Sequence, residues 1–148
     1  MRPTVVPTSR RRGRRDVSGA NHRLHCAAAL GLALTLVPAV ASETSDAMLQ
    51  ELSLIATEPF TPSAGLAAWT RDADGRSCTS CHTDSVFVQG RHERTGKIIE
   101  PMAPSVNPER LTDRKKIDKW FLRNCKWTFD RECTAQEKGD ILRWLSEQ

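Results

Sequence analysis

The chain contains no tyrosine, and its only aromatic residues are four Trp and four Phe. Long apolar runs are also missing. The longest, from about Cys26 to Val40, is too short for a comfortable membrane span, and the rest of the chain carries no spanning segment. The apolar–polar alternation that marks strands is weak throughout, which argues for a mainly helical domain. Histidine is scarce: there are four, of which only His82 and His92 follow residue 41. No internal repeat or low-complexity segment occurs beyond that point, which sets aside solenoid and low-complexity architectures.

What the N-terminal part does contain is a targeting pattern. Arg10, Arg11, Arg12, Arg14 and Arg15 precede the apolar run, which ends in Ala39-Val40-Ala41. A basic stretch, a short apolar core and a small-x-small site make a secretory signal peptide, with cleavage expected after about Ala41. An uncleaved N-terminal anchor is the alternative. Residues 42–148 then form one exported, periplasmic domain of 107 residues.

The whole chain has 22 Lys and Arg against 18 Asp and Glu, but seven of those bases and one of those acids lie in the leader. The remaining 15 bases and 17 acids give a formal net charge of −2. The high isoelectric point therefore belongs to the leader and offers no case for nucleic acid binding. Arg114, Lys115, Lys116 and Lys119 read as a solvated helix face, with a docking patch for an acidic redox partner as the alternative.

Cysteine usage is more informative. Cys26 is lost with the leader, and its context lacks the small residue expected before a lipidated cysteine. Cys78, Cys81, Cys125 and Cys133 remain, and an even number in an exported protein should all be used. A domain of this size buries a modest core, which a large cofactor or a disulfide would reinforce.

Along residues 42–148, Ser45 can cap a helix with Met48, Leu49, Leu52 and Ile55 on one face. Thr61 and Pro62 suit the N-cap and first position of a second helix running through Leu66 and Trp69. A segment from Thr83 to Arg110 is rich in Gly and Pro. A loop that long in a small domain is expected to wrap something. Thr112 is expected to cap a helix with Ile117, Trp120 and Phe121 on its apolar face. Thr134-Ala135-Gln136-Glu137 is a capping box opening a last helix with Ile141, Leu142, Trp144 and Leu145.

The chemistry sits in Cys78-Thr79-Ser80-Cys81-His82. The string C-x-x-C-H is the attachment site of c-type haem. Two thiols three positions apart can reach the two vinyl groups on one porphyrin edge, and the next residue turns its imidazole under the iron as proximal ligand. A thioredoxin-type pair would need a βαβ context that is missing. A zinc site drawing on the four cysteines, or on His82 or His92, belongs mainly to intracellular proteins.

The other axial position is open to several residues. Met102 lies in a loop framed by Pro101 and Pro104, but follows His82 by only twenty residues and could equally be packing. Asn124 falls at i+7 from Ile117, which puts an amide on the apolar face of a helix. A buried amide without a partner costs roughly 1–3 kcal/mol, so it is either satisfied by backbone or meets the iron. His92 sits in a polar run and reads as a surface residue. A bridge between Cys125 and Cys133 would close a short loop beside Asn124, with a stabilisation of roughly 2–3 kcal/mol. No acid–base group is placed beside the iron, so an electron carrier fits better than an enzyme.

These residues resemble the SHP (sphaeroides haem protein) cytochromes c, oxygen-binding single-haem proteins. The resemblance covers most of residues 42–148. It rests on the haem motif, Arg94-Thr95-Gly96-Lys97, Ala103-Pro104-Ser105, Lys119-Trp120, Arg123-Asn124-Cys125, and Arg131-Glu132-Cys133-Thr134 running into Glu137-Lys138. It implies a fold like class I cytochrome c, four to five short helices around one covalently bound haem c. It also implies His82 as proximal and Asn124 as distal iron ligand and a Cys125–Cys133 disulfide; Met102 departs from the family pattern and is the fallback for the distal position. The partners it implies are a dihaem cytochrome c, a membrane cytochrome b and small diatomic ligands such as oxygen or nitric oxide.

Overall fold

A computed structural model of the chain describes residues 42–148. The leader, its cleavage site and Cys26 lie outside the described residues. Five helices follow in order: α1 (Glu43–Ser53), α2 (Pro62–Thr70), α3 (Thr79–His82), α4 (Arg114–Phe129) and α5 (Ala135–Ser146). Two short strands, β1 (Gly90–Arg91) and β2 (Ile98–Ile99), pair antiparallel with Gly90 opposite Ile99. Among the described residues no helix is long and apolar enough to cross a membrane.

The caps follow the rule that a short oxygen side chain satisfies the free amides of a first turn. Thr61 accepts from the Ala64 amide at 3.2 Å, with Pro62 at the first helical position, as expected. Thr134 and Glu137 form the expected capping box, at 3.1 and 2.9 Å. Two caps differ from expectation. Ser42, not Ser45, caps α1; its hydroxyl accepts from the Ser45 amide, while Ser45 is buried inside the first turn. Asp113, not Thr112, caps α4 and accepts from the Lys116 amide at 3.1 Å, because the Thr112 hydroxyl turns back to the Glu109 carbonyl. Ile55 falls beyond the end of α1 and is exposed rather than on a packed face.

The core forms where α1 and α2 pack on α5. Met48 of α1, Ala68 and Trp69 of α2, and Ile141, Leu142, Trp144 and Leu145 of α5 are all buried. Gly65 makes the α2–α5 crossing close. A Cβ there would overlap the Asp140 carbonyl and lie 2.6 Å from the Trp144 Cβ. The buried Asp140 carboxylate accepts from the Thr61 amide at 2.9 Å, and Gln136 accepts from the Thr57 and Glu58 amides at 3.1 and 2.9 Å. The last helix therefore holds the α1–α2 connection through side chains.

Glu137 also gathers two arginines, Arg131 and Arg71, each at 2.7 Å. The Arg131 hydrogen bond, helped by Arg71 and the Thr134 amide, lowers its carboxyl from 4.5 to about 2. A depressed folded-state pKa adds stability that is complete above the unfolded value and is lost as pH falls through the folded one. Both arginines are largely exposed, so screening limits the contribution to ~1–2 kcal/mol. Thermal midpoints should therefore fall between pH 4.5 and about 2. Glu137→Gln should start lower at pH 7 and lose part of that acid dependence.

Candidate cofactor site

Cys78, Cys81 and His82 are brought together by one turn of helix. The Cys81 and His82 amides both donate to the Cys78 carbonyl, at 3.3 and 3.1 Å. Thr83 ends the turn at φ +63°, a left-handed conformation that a β-branched residue adopts only under constraint, so the chain leaves sharply after His82. The two thiols are not bonded to each other. β1 lies directly against this turn. A Cβ at Gly90 would overlap the Cys81 carbonyl and lie 2.9 Å from the His82 Cα.

Burial dominates the electrostatics of the turn. It pushes the Cys78 thiol up to about 11 and the His82 imidazole down to about 4, the nearby Arg110 guanidinium adding to the latter. His82 is thus held neutral, with a lone pair free for a metal. Trp69 stands against it, ring centroids 5.1 Å apart, and is itself backed by Trp144 at 5.4 Å.

α4 approaches this turn through Thr128. Ile117, Cys125 and Thr128 are buried, and Asn124 and Phe121 are half-buried beside them. The Thr128 hydroxyl faces the Cys78 sulfur without making a hydrogen bond of ordinary geometry. Asn124 lies one turn earlier on the same face, and the side-chain hydrogen bonds of α4 among the described residues do not include it. Trp120, expected on the packed face, is 45% exposed and lies on its flank.

Cys125 and Cys133 stand at disulfide distance, Cα atoms 5.5 Å apart, tying the end of α4 to the start of α5. That pairing removes both from any four-cysteine zinc site. Met102 is half-buried and, like Cys78, packs against the core cluster, in a loop held by the Met102 and Ala103 amides donating to the Val86 carbonyl at 2.8 and 3.0 Å. His92 is committed elsewhere: its Nδ1 accepts from the Arg94 and Thr95 amides at 3.3 Å within the β1–β2 turn.

Comparison with known proteins gives this geometry a context. Residues 55–145 match the family described as Domain of unknown function (DUF1924). The chain is 40% identical over 117 residues to cytochrome c-type protein SHP of Cereibacter sphaeroides, covering 75% of this chain and 90% of that one. The chain belongs to the SHP family of c-type cytochromes.

The structure of oxidised SHP, an oxygen-binding cytochrome c, superposes with a TM-score of 0.66 at 36% identity, covering 72% of this chain and 99% of SHP. Cytochrome c'' of Methylophilus methylotrophus is 36% identical over 69 residues, about half of each chain, and its oxidised crystal structure superposes with a TM-score of 0.60. The fold is thus the class I cytochrome c-like helical fold that the sequence resemblance implied, and the cofactor is a single haem c.

The donor set fits that cofactor: two unpaired thiols on one turn, a neutral imidazole next to them, and two buried polar atoms, Trp69 Nε1 and Thr128 Oγ1, without protein partners. Three contributors to this site were missed by sequence reasoning. Trp69 read only as helix packing. Thr128 carried no signal except its spacing of four from Asn124. Gly90 read as one of several loop glycines.

Proposed function

We propose that this is an exported, periplasmic electron carrier whose sixth coordination position opens on reduction. In this reading residues 1–41 are removed, Cys78 and Cys81 form the thioethers, His82 is the proximal ligand and Asn124 the distal one. Bound haem c would supply a one-electron ferric–ferrous couple. The observation that carries the reading is the Asn124 side chain: half-buried, without a side-chain hydrogen bond among the described residues, and one turn from Thr128, which faces Cys78.

His82 binds as a neutral imidazole, which its burial favours. The Asn124 carboxamide is a hard, weak donor, better matched to ferric than to ferrous iron. On reduction Asn124 would be the weaker ligand, and its released N–H would be able to donate to a diatomic ligand. The Cys125–Cys133 bridge next to it limits how far the helix end can move. The oxygen binding of SHP and the haem-ligand detachment studied in cytochrome c'' are consistent with such an exchange. Electrons would come from partners of the kind the family resemblance implies, a dihaem cytochrome c or a membrane cytochrome b.

A second reading has Met102 as a permanent sixth ligand, favoured by its half-buried place against the same core cluster on which Cys78 packs. Carbon monoxide separates the two. The reduced protein should bind it with a large shift of the Soret band, and the oxidised protein should not. A reduced protein that ignores carbon monoxide would leave the methionine reading.

A further inference from the structure

α4 carries six basic side chains and one acid, Asp118, a formal charge of +5, while the rest of residues 42–148 sum to −7. Three of these cations are engaged. Arg114 pairs with Glu51 and Asp118, both at 2.8 Å, Lys116 with Asp113 at 3.6 Å, and Lys126 with Glu132 at 3.3 Å. Lys115, Lys119 and Arg123 have no carboxylate at ion-pair distance among the described residues. They recur every four residues, so they form one stripe along the helix. Like charges at that spacing repel, which makes the stripe a cost to the free domain.

The stripe is not purely polar. Trp120 is 45% exposed and lies between two of its members, with Lys119 Nζ 5.3 Å and Arg123 Cζ 5.9 Å from the ring centroid. Leu122, 42% exposed, adds a second apolar side chain on the outer surface. A large aromatic within a cationic rim is the composition of an interface hot spot. The opposite face of α4 holds Asn124 and Thr128, so about one helix diameter, roughly 10 Å, separates the stripe from the cofactor side.

We propose that the stripe Lys115–Lys119–Arg123, with Trp120 as its anchor, is the docking site of an acidic one-electron carrier protein. One electron would pass from the partner's reduced centre to the haem; no covalent bond forms or breaks and no proton moves, the one change of coordination being the release of Asn124 described above. A protein fits better than an anionic membrane, because the stripe is narrow and bordered by Glu51, Asp113 and Asp118 on a domain that is acidic elsewhere. The proposal rests on the placement of the cofactor given above.

The test uses the holoprotein on gold electrodes bearing carboxylate-terminated or amine-terminated monolayers, with adsorbed mass read by surface plasmon resonance and electron transfer by voltammetry. At low salt the carboxylate surface should bind the protein and give a reversible wave, despite the net charge of −2. Lys119→Glu with Arg123→Glu should cut adsorption and rate by about tenfold or more. Arg94→Glu with Lys97→Glu, the same charge change on the β1–β2 hairpin, should stay within about twofold of wild type. Equal losses in the two variants would overturn the proposal. So would self-association, or binding to phosphatidylglycerol vesicles, that the α4 variant abolishes. The visible spectrum in solution reports the cofactor separately. An intact spectrum without the α4 effect overturns the docking site alone, and a wild-type chain without a haem band overturns both.

Discussion

Cys78→Ser combined with Cys81→Ser should leave the chain without covalently held haem. Wild-type protein should keep its haem through denaturation and acid extraction, and its mass should exceed that of its polypeptide by one haem. The double variant should release all its colour and show the mass of the bare polypeptide. A serine oxygen lacks the thiol's capacity to form the thioether, and among the described residues no other free thiol remains, because Cys125 and Cys133 pair with each other. The loss should extend to folding. A ligand present at a thousand times its dissociation constant stabilises by roughly 4 kcal/mol, and a covalent one acts at least as strongly. A domain of this size has only about 5–15 kcal/mol in total. The variant should therefore melt broadly or be degraded, as followed by far-ultraviolet circular dichroism and periplasmic yield.

The second large effect concerns the distal side. Asn124→Ala should convert the ferric protein to a high-spin form, seen by electron paramagnetic resonance, and should strengthen the binding of added cyanide or imidazole. A resident ligand that holds its position for nine-tenths of the time lowers apparent affinity about tenfold, so its removal should return at least that factor. Met102→Leu conserves volume and should cost less than about 1.5 kcal/mol while leaving the ferric spectrum unchanged. The reverse pattern would assign the sixth position to Met102.

Much of this was legible in the amino-acid order because the decisive signals are local. C-x-x-C-H sets two thiols and an imidazole on one turn within five residues, and the Thr134–Glu137 capping box fixes the start of α5 within four. The α1 and α4 caps were each displaced, because neighbouring oxygen side chains compete for the same amides and tertiary contacts decide. Ser42 caps α1 while its hydroxyl also reaches the Leu111 carbonyl, a contact spanning sixty-nine residues. The Trp69–His82 contact and the approach of Thr128 to Cys78 join elements far apart in the chain, and neither residue type announces such a role. Trp120 shows the same limit from the other side. Its spacing placed it with Ile117 and Asn124, yet it is 45% exposed where Ile117 is buried.

Redox-gated opening of the coordination sphere is tested most directly by resonance Raman spectroscopy of the ferrous protein without added ligand. A five-coordinate, high-spin pattern is expected, with an iron–histidine stretch that disappears in His82 variants. A six-coordinate, low-spin ferrous spectrum would contradict it and show that a protein side chain stays on the iron in both oxidation states.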